Sequence, residues 1–315
     1  MIRKILFGLT FIIIAAGTSL YAQEDDTLST DENERWDWED EWEDEWEHWE
    51  KGKPSIEINY GLGESKHDKL ISKLAKVGLV EVKLGYISLD KRDDYIIKFD
   101  ERYGFVSKLA VNLQSDKANS DELSSELFRF GFGRRSGYGY DFNNIRILPY
   151  SQNAAVWSKL DMKDYPVSIL PVILFTDAAN DAQILDRFNK EIRFGTLSEG
   201  GIRLEAGKFI SFNAGYEAAV IFPRHLVWKH LVSFGIEAAA LGALDHFVDE
   251  VLDSSPAAAP LVNFVLKNGL SYAFYTLKKE KMNWPFNTEA PLTYETIKFG
   301  ITFTIILRCY LCRCI

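Results

Sequence analysis

Within the stretch Tyr294 to Ile305, the ten residues from Thr296 to Ile305 alternate in polarity without a break. Ile297, Phe299, Ile301, Phe303 and Ile305 share one face, and Thr296, Lys298, Gly300, Thr302 and Thr304 the other. A strict period of two requires a β-strand with one apolar and one polar face. About ten residues is also the length a tilted strand needs to cross a bilayer. The apolar face of such a strand needs a cover of protein or lipid.

The segment Lys298-Phe299-Gly300-Ile301-Thr302-Phe303-Thr304-Ile305 resembles the closing strand of outer-membrane β-barrels. In that assembly signal a polar residue, any residue and Gly are followed by two of any kind, an apolar residue, any residue and an apolar one. The resemblance implies an exported barrel with outer-membrane lipid as a partner. It identifies a class of protein, and no activity comes with it.

The N-terminus reads as a secretory signal peptide over 1–22. Arg3 and Lys4 form its positive end, Ile5–Ala16 its apolar core and Ser19-Leu20-Tyr21-Ala22 its cleavage region. From Gln23 to Glu50 there are fifteen acids and one base, Arg35, a net −14. With Arg3 and Lys4 in the leader, residues 51–315 carry +2, although the whole chain carries −10. The body is nearly neutral, and no basic domain points to nucleic acid. Cys309, Cys312 and Cys314 all lie in the terminal 306–315 tail, so the body has no disulfide framework.

Residues 23–53 read as an acidic tether. Composition alone fits a disordered, self-repelling linker. Trp38, Trp42, Trp46 and Trp49 recur at helical spacing, and on a helix they would form one face among the acids. That face could contact a basic protein surface through residues 36–49, or the membrane interface.

From residue 54 to 222 the pattern reads as an antiparallel β meander with short helices. Ile56, Ile58 and Tyr60 alternate with Ser55, Glu57 and Asn59. A short helix is expected after Ser65, a charged turn at Asp90–Asp94, and strands at Tyr95–Phe99 and Tyr103–Leu113. Pro149, Pro166 and Pro171 should confine strands near them to edges or ends. A helix is expected from Asp177 to Lys190. Strands follow at Ile192–Leu197, Gly201–Asn213 and Tyr216–Phe222, with a register slip near Lys208. A helical hairpin occupies 223–282, opened by Pro223, with Ser255 as N-cap of its second helix. Its cleanest apolar stretch, Leu231–Leu244, is short for a membrane span and suits a helix buried on protein. A link and the closing strand fill 283–305.

Chemistry is sparse. Gly131, Gly133 and Gly137 miss the dinucleotide spacing, and glycine beside aromatics in a crowded sheet is the plain account. Glu217, Arg224 and His225 gather around a strand-to-helix junction, where a ligand could bind; an exposed His in a surface ion pair is the bland alternative. His246 and Glu250 are four apart, without a metal-site signature around them. No nucleophile elbow or P-loop is present, and no cofactor or catalytic residue is expected.

Two architectures fit. One is an outer-membrane-type β-barrel of eight to ten strands, β-rich α+β, with the hairpin against or inside it and a structural or binding role. The other is a soluble periplasmic α+β protein binding an apolar ligand between sheet and hairpin. For the barrel, a charge at Ile301 should be costly, and one at Gly300 or Thr302 milder if the interior has room.

Overall fold

The computed structural model describes residues 52–114, 122–142, 145–163, 177–207 and 209–305. The acidic segment, its tryptophans and the three cysteines lie outside these residues.

Eight antiparallel strands form a closed barrel in sequence order: β1 (Lys53–Lys66), β2 (Val77–Lys91), β3 (Ile96–Ala110), β4 (Ser124–Phe142), β5 (Ile145–Lys163), β6 (Ile192–Ala206), β7 (Ile210–Ile221) and β8 (Leu292–Thr304). The closing strand pairs with both β1 and β7, Ile301 lying opposite Ile58 and Phe212. Register followed from Ser55 through Gly85, Tyr103, Gly133, Ala154, Leu197, Ala219 and Tyr294 returns to β1 at Ser65. That displacement is the barrel's shear of ten residues. On eight strands it implies a tilt of about 40° and a backbone radius of about 8 Å. Each residue then climbs about 2.5 Å along the axis, and each step to the next strand about 3 Å.

The two ends differ. At one end the turn 92–95 joins β2 to β3, β4 and β5 are only two residues apart in sequence, β6 and β7 only three, and Gly207 has φ 77°. Both barrel-wall termini, Lys53 and Thr304, lie at this end. The other end carries the long connections 67–76, 111–123, 164–191 and 222–291. Within them lie α1 (Asp177–Asp186), α2 (Val227–Ser254) and α3 (Ala259–Glu280).

Several local expectations change. The stretch after Ser65 makes turns instead of a helix. Asp100-Glu101-Arg102 continues β3, because its residues keep the inward–outward alternation. β5 runs straight through Pro149. There the β4–β5 ladder skips Gly137–Gly139 and resumes at Tyr140↔Ile147 with register unchanged, as expected where an N–H donor is missing. The strand drawn through Lys208 splits at the Gly207 turn. α2 starts at Val227, past Pro223, and Ser255 caps its C-terminal end, while Ala258 is the N-cap of α3.

The barrel is apolar outside and polar inside. Ile56, Ile58, Tyr60, Leu62, Leu84, Val106, Phe128, Phe130, Phe132, Phe212, Ile297, Phe299, Ile301 and Phe303 are exposed on its outer face. On the axial scale above, the exposed band from Ile210 and Phe303 to Leu62 and Phe128 is about 25 Å tall. That matches the lipid-facing belt of a membrane barrel. No stable fold in water would leave such a belt uncovered.

Candidate functional site

The alternation that faces apolar residues outward packs the opposite face into the lumen. At mid-height five carboxylates, Glu57, Glu81, Glu101, Glu199 and Glu217, meet five bases, Lys83, Arg129, Arg135, Arg203 and Lys298. None is more than 4% exposed.

These groups form two linked clusters. In the one nearer the short turns, Arg135 donates to both oxygens of Glu57 at 2.7 and 2.9 Å, and to Glu101 at 2.9 Å. Arg203 reaches across the lumen to Glu57 at 3.0 Å and Glu101 at 2.8 Å. Asn213 and Thr302 donate to the same Glu57 oxygen. In the second, Lys298 Nζ lies 2.6 Å from Glu199, 2.6 Å from Glu217 and 3.0 Å from Glu81. Arg129 takes the other Glu217 oxygen at 2.7 Å. Lys83 joins the clusters, 3.3 Å from Glu57 and 3.5 Å from Glu81 and Glu199. The Arg135 guanidinium also lies over the Tyr150 ring, 4.4 Å from its centroid.

Apolar layers bound this charged layer. Toward the short turns sit Ile97, Phe99, Leu148 and Tyr150. Toward the long loops Val77, Leu79, Phe105, Leu109, Val156 and Leu197 fill the lumen, and Leu185 and Phe188 pack onto them. The glycines of β4 serve this filling: a Cβ on Gly133 would meet the Tyr103 hydroxyl and the Asn153 carbonyl at 2.6 Å, and one on Gly131 would meet the Phe105 ring. The interior is therefore a core and not an open channel, as expected of an eight-stranded barrel.

The cap over the long-loop end is tied together by polar contacts. Asp181 of α1 accepts from the Ile71 and Ser72 amides at 3.0 and 2.7 Å. Partial burial opposes its ionised form, but these donors prevail and hold its carboxyl below the usual range. His67 packs edge-on to Phe188 and contacts the Ala290 carbonyl through Nε2. Burial lowers its pKa, outweighing that carbonyl.

The hairpin lies on the outside of the wall, which corrects the picture of α2 as a helix buried on protein. Near the long loops, Phe194, Phe222, Leu226, Phe234 and Tyr275 pack together on the outer face. Asn268 of α3 donates to the Tyr150 carbonyl at 3.1 Å, at the site where Gly200 leaves room for its amide. At the hairpin tip Tyr138 donates to Asp249 and Tyr140 to the Ala257 carbonyl, at 3.0 and 2.7 Å. Tyr275 and Lys279 both reach Glu295 of the last strand. The hairpin contacts this closed wall directly, whereas the soluble alternative placed an apolar ligand between sheet and hairpin.

The structure separates the three residues singled out at the strand-to-helix junction. Glu217 points into the lumen, fully buried between Arg129 and Lys298. Arg224 is exposed and pairs with Glu289 at 3.3 Å, and His225 is exposed beside it. His246 and Glu250 stand 4.0 Å apart on the hairpin surface. Among the described residues no group of three or more His, Cys, Asp or Glu could hold a metal. The interior network had a signal in the sequence: bases and acids of both signs sit on one face of successive strands.

No protein-family model matches the chain, and no curated protein sequence matches it. Among solved structures the fold is similar to Neisserial surface protein A (NspA), with TM-score 0.38 and 10% identity over 80% of this chain and 97% of that one. It is also similar to Ail, the attachment invasion locus protein of Yersinia pestis, with TM-score 0.32 and 8% identity over 81% and 99%. A second structure of Ail, in complex with the heparin analogue sucrose octasulfate, matches at TM-score 0.32 and 10% identity. These are likenesses of overall fold.

Proposed function

We propose that this chain is an exported outer-membrane barrel with a structural or binding role, a filled anchor and neither a pore nor an enzyme. The carrying observation is the inversion of polarity: an apolar belt about 25 Å tall outside and a charge-balanced, sealed network inside. In such barrels short turns face the periplasm and long loops the exterior. On that orientation, the capped end and the base of the hairpin face outward. The acidic segment 23–53 enters from the periplasmic side, where Trp38, Trp42, Trp46 and Trp49 meet a basic protein surface. Removal of residues 1–22 would leave Gln23 at the mature N-terminus.

Fractionation with reconstitution tests the reading. The mature protein should start near Gln23, require detergent for extraction and change gel mobility on boiling. Proteoliposomes carrying it should show no sugar-permeable swelling. Extraction by salt or alkali alone would refute the membrane anchor, and solute flux would refute the sealed interior.

A further inference from the structure

The hairpin shows the same inversion of polarity as the wall. On α3 the polar Asn263, Ser271 and Lys278 are buried together with Ala259, Pro260, Phe274 and Tyr275, whereas the large apolar Leu261, Val265, Tyr272 and Leu277 are exposed. On α2 the buried residues among 227–254 are His230, Ser233 and Val248, whereas Val227, Trp228, Ile236 and Phe247 are exposed. α2 is long and apolar enough to cross a membrane, yet only 11% of its most apolar stretch is buried, unlike a core helix of a soluble protein.

The hairpin's polar groups are placed to match. Glu237, within the apolar stretch, is paired with Lys278 across the two helices, and Asp245 with Lys267. The acids Asp249, Glu250 and Asp253 cluster at the tip, beside Tyr138 and Tyr140 near the short-turn rim. Val227–Leu244 is about 27 Å long, close to the height of the wall's apolar belt. Trp228, 74% exposed, stands where α2 leaves the long-loop rim, the level at which aromatic side chains anchor at a membrane interface. The wall beneath is poorly suited to lipid: outward-facing Ser151 is 6% exposed and lies in register with Gly200.

We propose that α2 and α3 lie inside the bilayer, clamped to the outside of the barrel, with lipid acyl chains covering their outward face. This rests on the membrane-barrel reading. The hairpin extends the lipid-facing surface, and its polar side fits the wall the way polar and small residues line helix contacts in membranes.

The test is thiol accessibility in open outer-membrane fragments with both faces reachable from water, using full-length protein with Cys309, Cys312 and Cys314 replaced by Ser. Single cysteines are placed at Ile236 and Val265 on the hairpin, Glu250 at its tip and Ile301 on the wall. A water-soluble maleimide should react at 236 and 265 at least about tenfold more slowly than at 250, because the bilayer core holds no water. A lipid-phase reagent should label 236, 265 and 301 alike. Aqueous labelling at 236 and 265 as fast as at 250, with 301 still protected, would overturn the embedded hairpin and leave the membrane barrel standing. Shielding of 236 and 265 from both reagents would show a protein cover and overturn lipid as the occupant. Aqueous labelling at 301 as well would overturn both.

Discussion

Replacing Lys298 by Met removes a cation that touches three buried carboxylates. Its Nζ lies 2.6 Å from both Glu199 and Glu217 and 3.0 Å from Glu81. Arg129 remains on Glu217 at 2.7 Å, and Lys83 remains 3.5 Å from Glu81 and Glu199. One negative charge is left uncompensated in a packed, solvent-inaccessible layer. Breaking a buried pair this way costs about 3–5 kcal/mol, roughly two to three and a half decades in the folding equilibrium. Met fills most of the Lys volume, so a cavity adds little. The assay is a urea titration in detergent micelles, with the folded fraction read from mobility of unboiled samples. Glu81→Gln combined with Lys298→Met restores neutrality and should recover about 0.5–3 kcal/mol, the usual size of coupling between neighbours. The exposed Lys91→Met should change stability by less than about 0.5 kcal/mol. If Lys298→Met falls within that margin as well, or the double variant recovers nothing, the charged layer does not hold the barrel together.

Other outcomes follow from the same geometry. Gly133→Val should destabilise by about 1–3 kcal/mol in the same titration, because the Asn153 carbonyl and Tyr103 hydroxyl leave no room for a Cβ; an unchanged midpoint would mean that the lumen is loose there. Acid should loosen the cap. The pKa values of His67 and Asp181 are both depressed in the folded state, so their stabilisation is complete above the unfolded His value of about 6.5 and lost as pH falls. His67 acts first and Asp181 below about pH 3.9. Hydrogen exchange at the Ile71 and Ser72 amides should rise in that order, and Asp181→Asn should remove the more acidic step; pH-independent protection would contradict it. Phe299→Arg should cost about 2–4 kcal/mol in assembly because Phe299 is near the middle of the apolar belt. Thr302→Arg should be no milder: Thr302 is fully buried and hydrogen-bonded to Glu57.

That last expectation reverses what alternation alone suggested. Period two assigned Ile301 outward and Thr302 inward, and the strand folds that way. It carries no information on how full the lumen is, which depends on register around all eight strands. Gly300 shows the same limit: a Cβ there would sit 1.7 Å from the Asn59 amide oxygen. Local breaks were over-read for a related reason. The charges at Asp100–Arg102 and the proline at 149 look like interruptions, but a closed barrel accommodates both. Glu101 has Arg135 and Arg203 to meet inside, and the β4–β5 ladder skips the residues around Pro149. The hairpin was legible as two helices. Its placement was not, because an apolar helix is read as buried in protein unless its polar side is known to be the packed one. Glu217 was singled out for chemistry because it precedes a junction; its neighbours Arg129 and Lys298 are 88 and 81 positions away in sequence.

The central claim is that the outer wall meets lipid. Spin labels at Phe299, Ile301 and Phe303 on β8 and at Ile58 on β1, in protein reconstituted into lipid vesicles, test it most directly. Collisions with dissolved oxygen should exceed those with a water-soluble nickel complex at every site. The excess should be greatest at Phe299 and Ile58 and fall toward Phe303 at the short-turn rim. Dominant nickel collisions at these sites, or protection from both agents, would contradict a wall embedded in the bilayer.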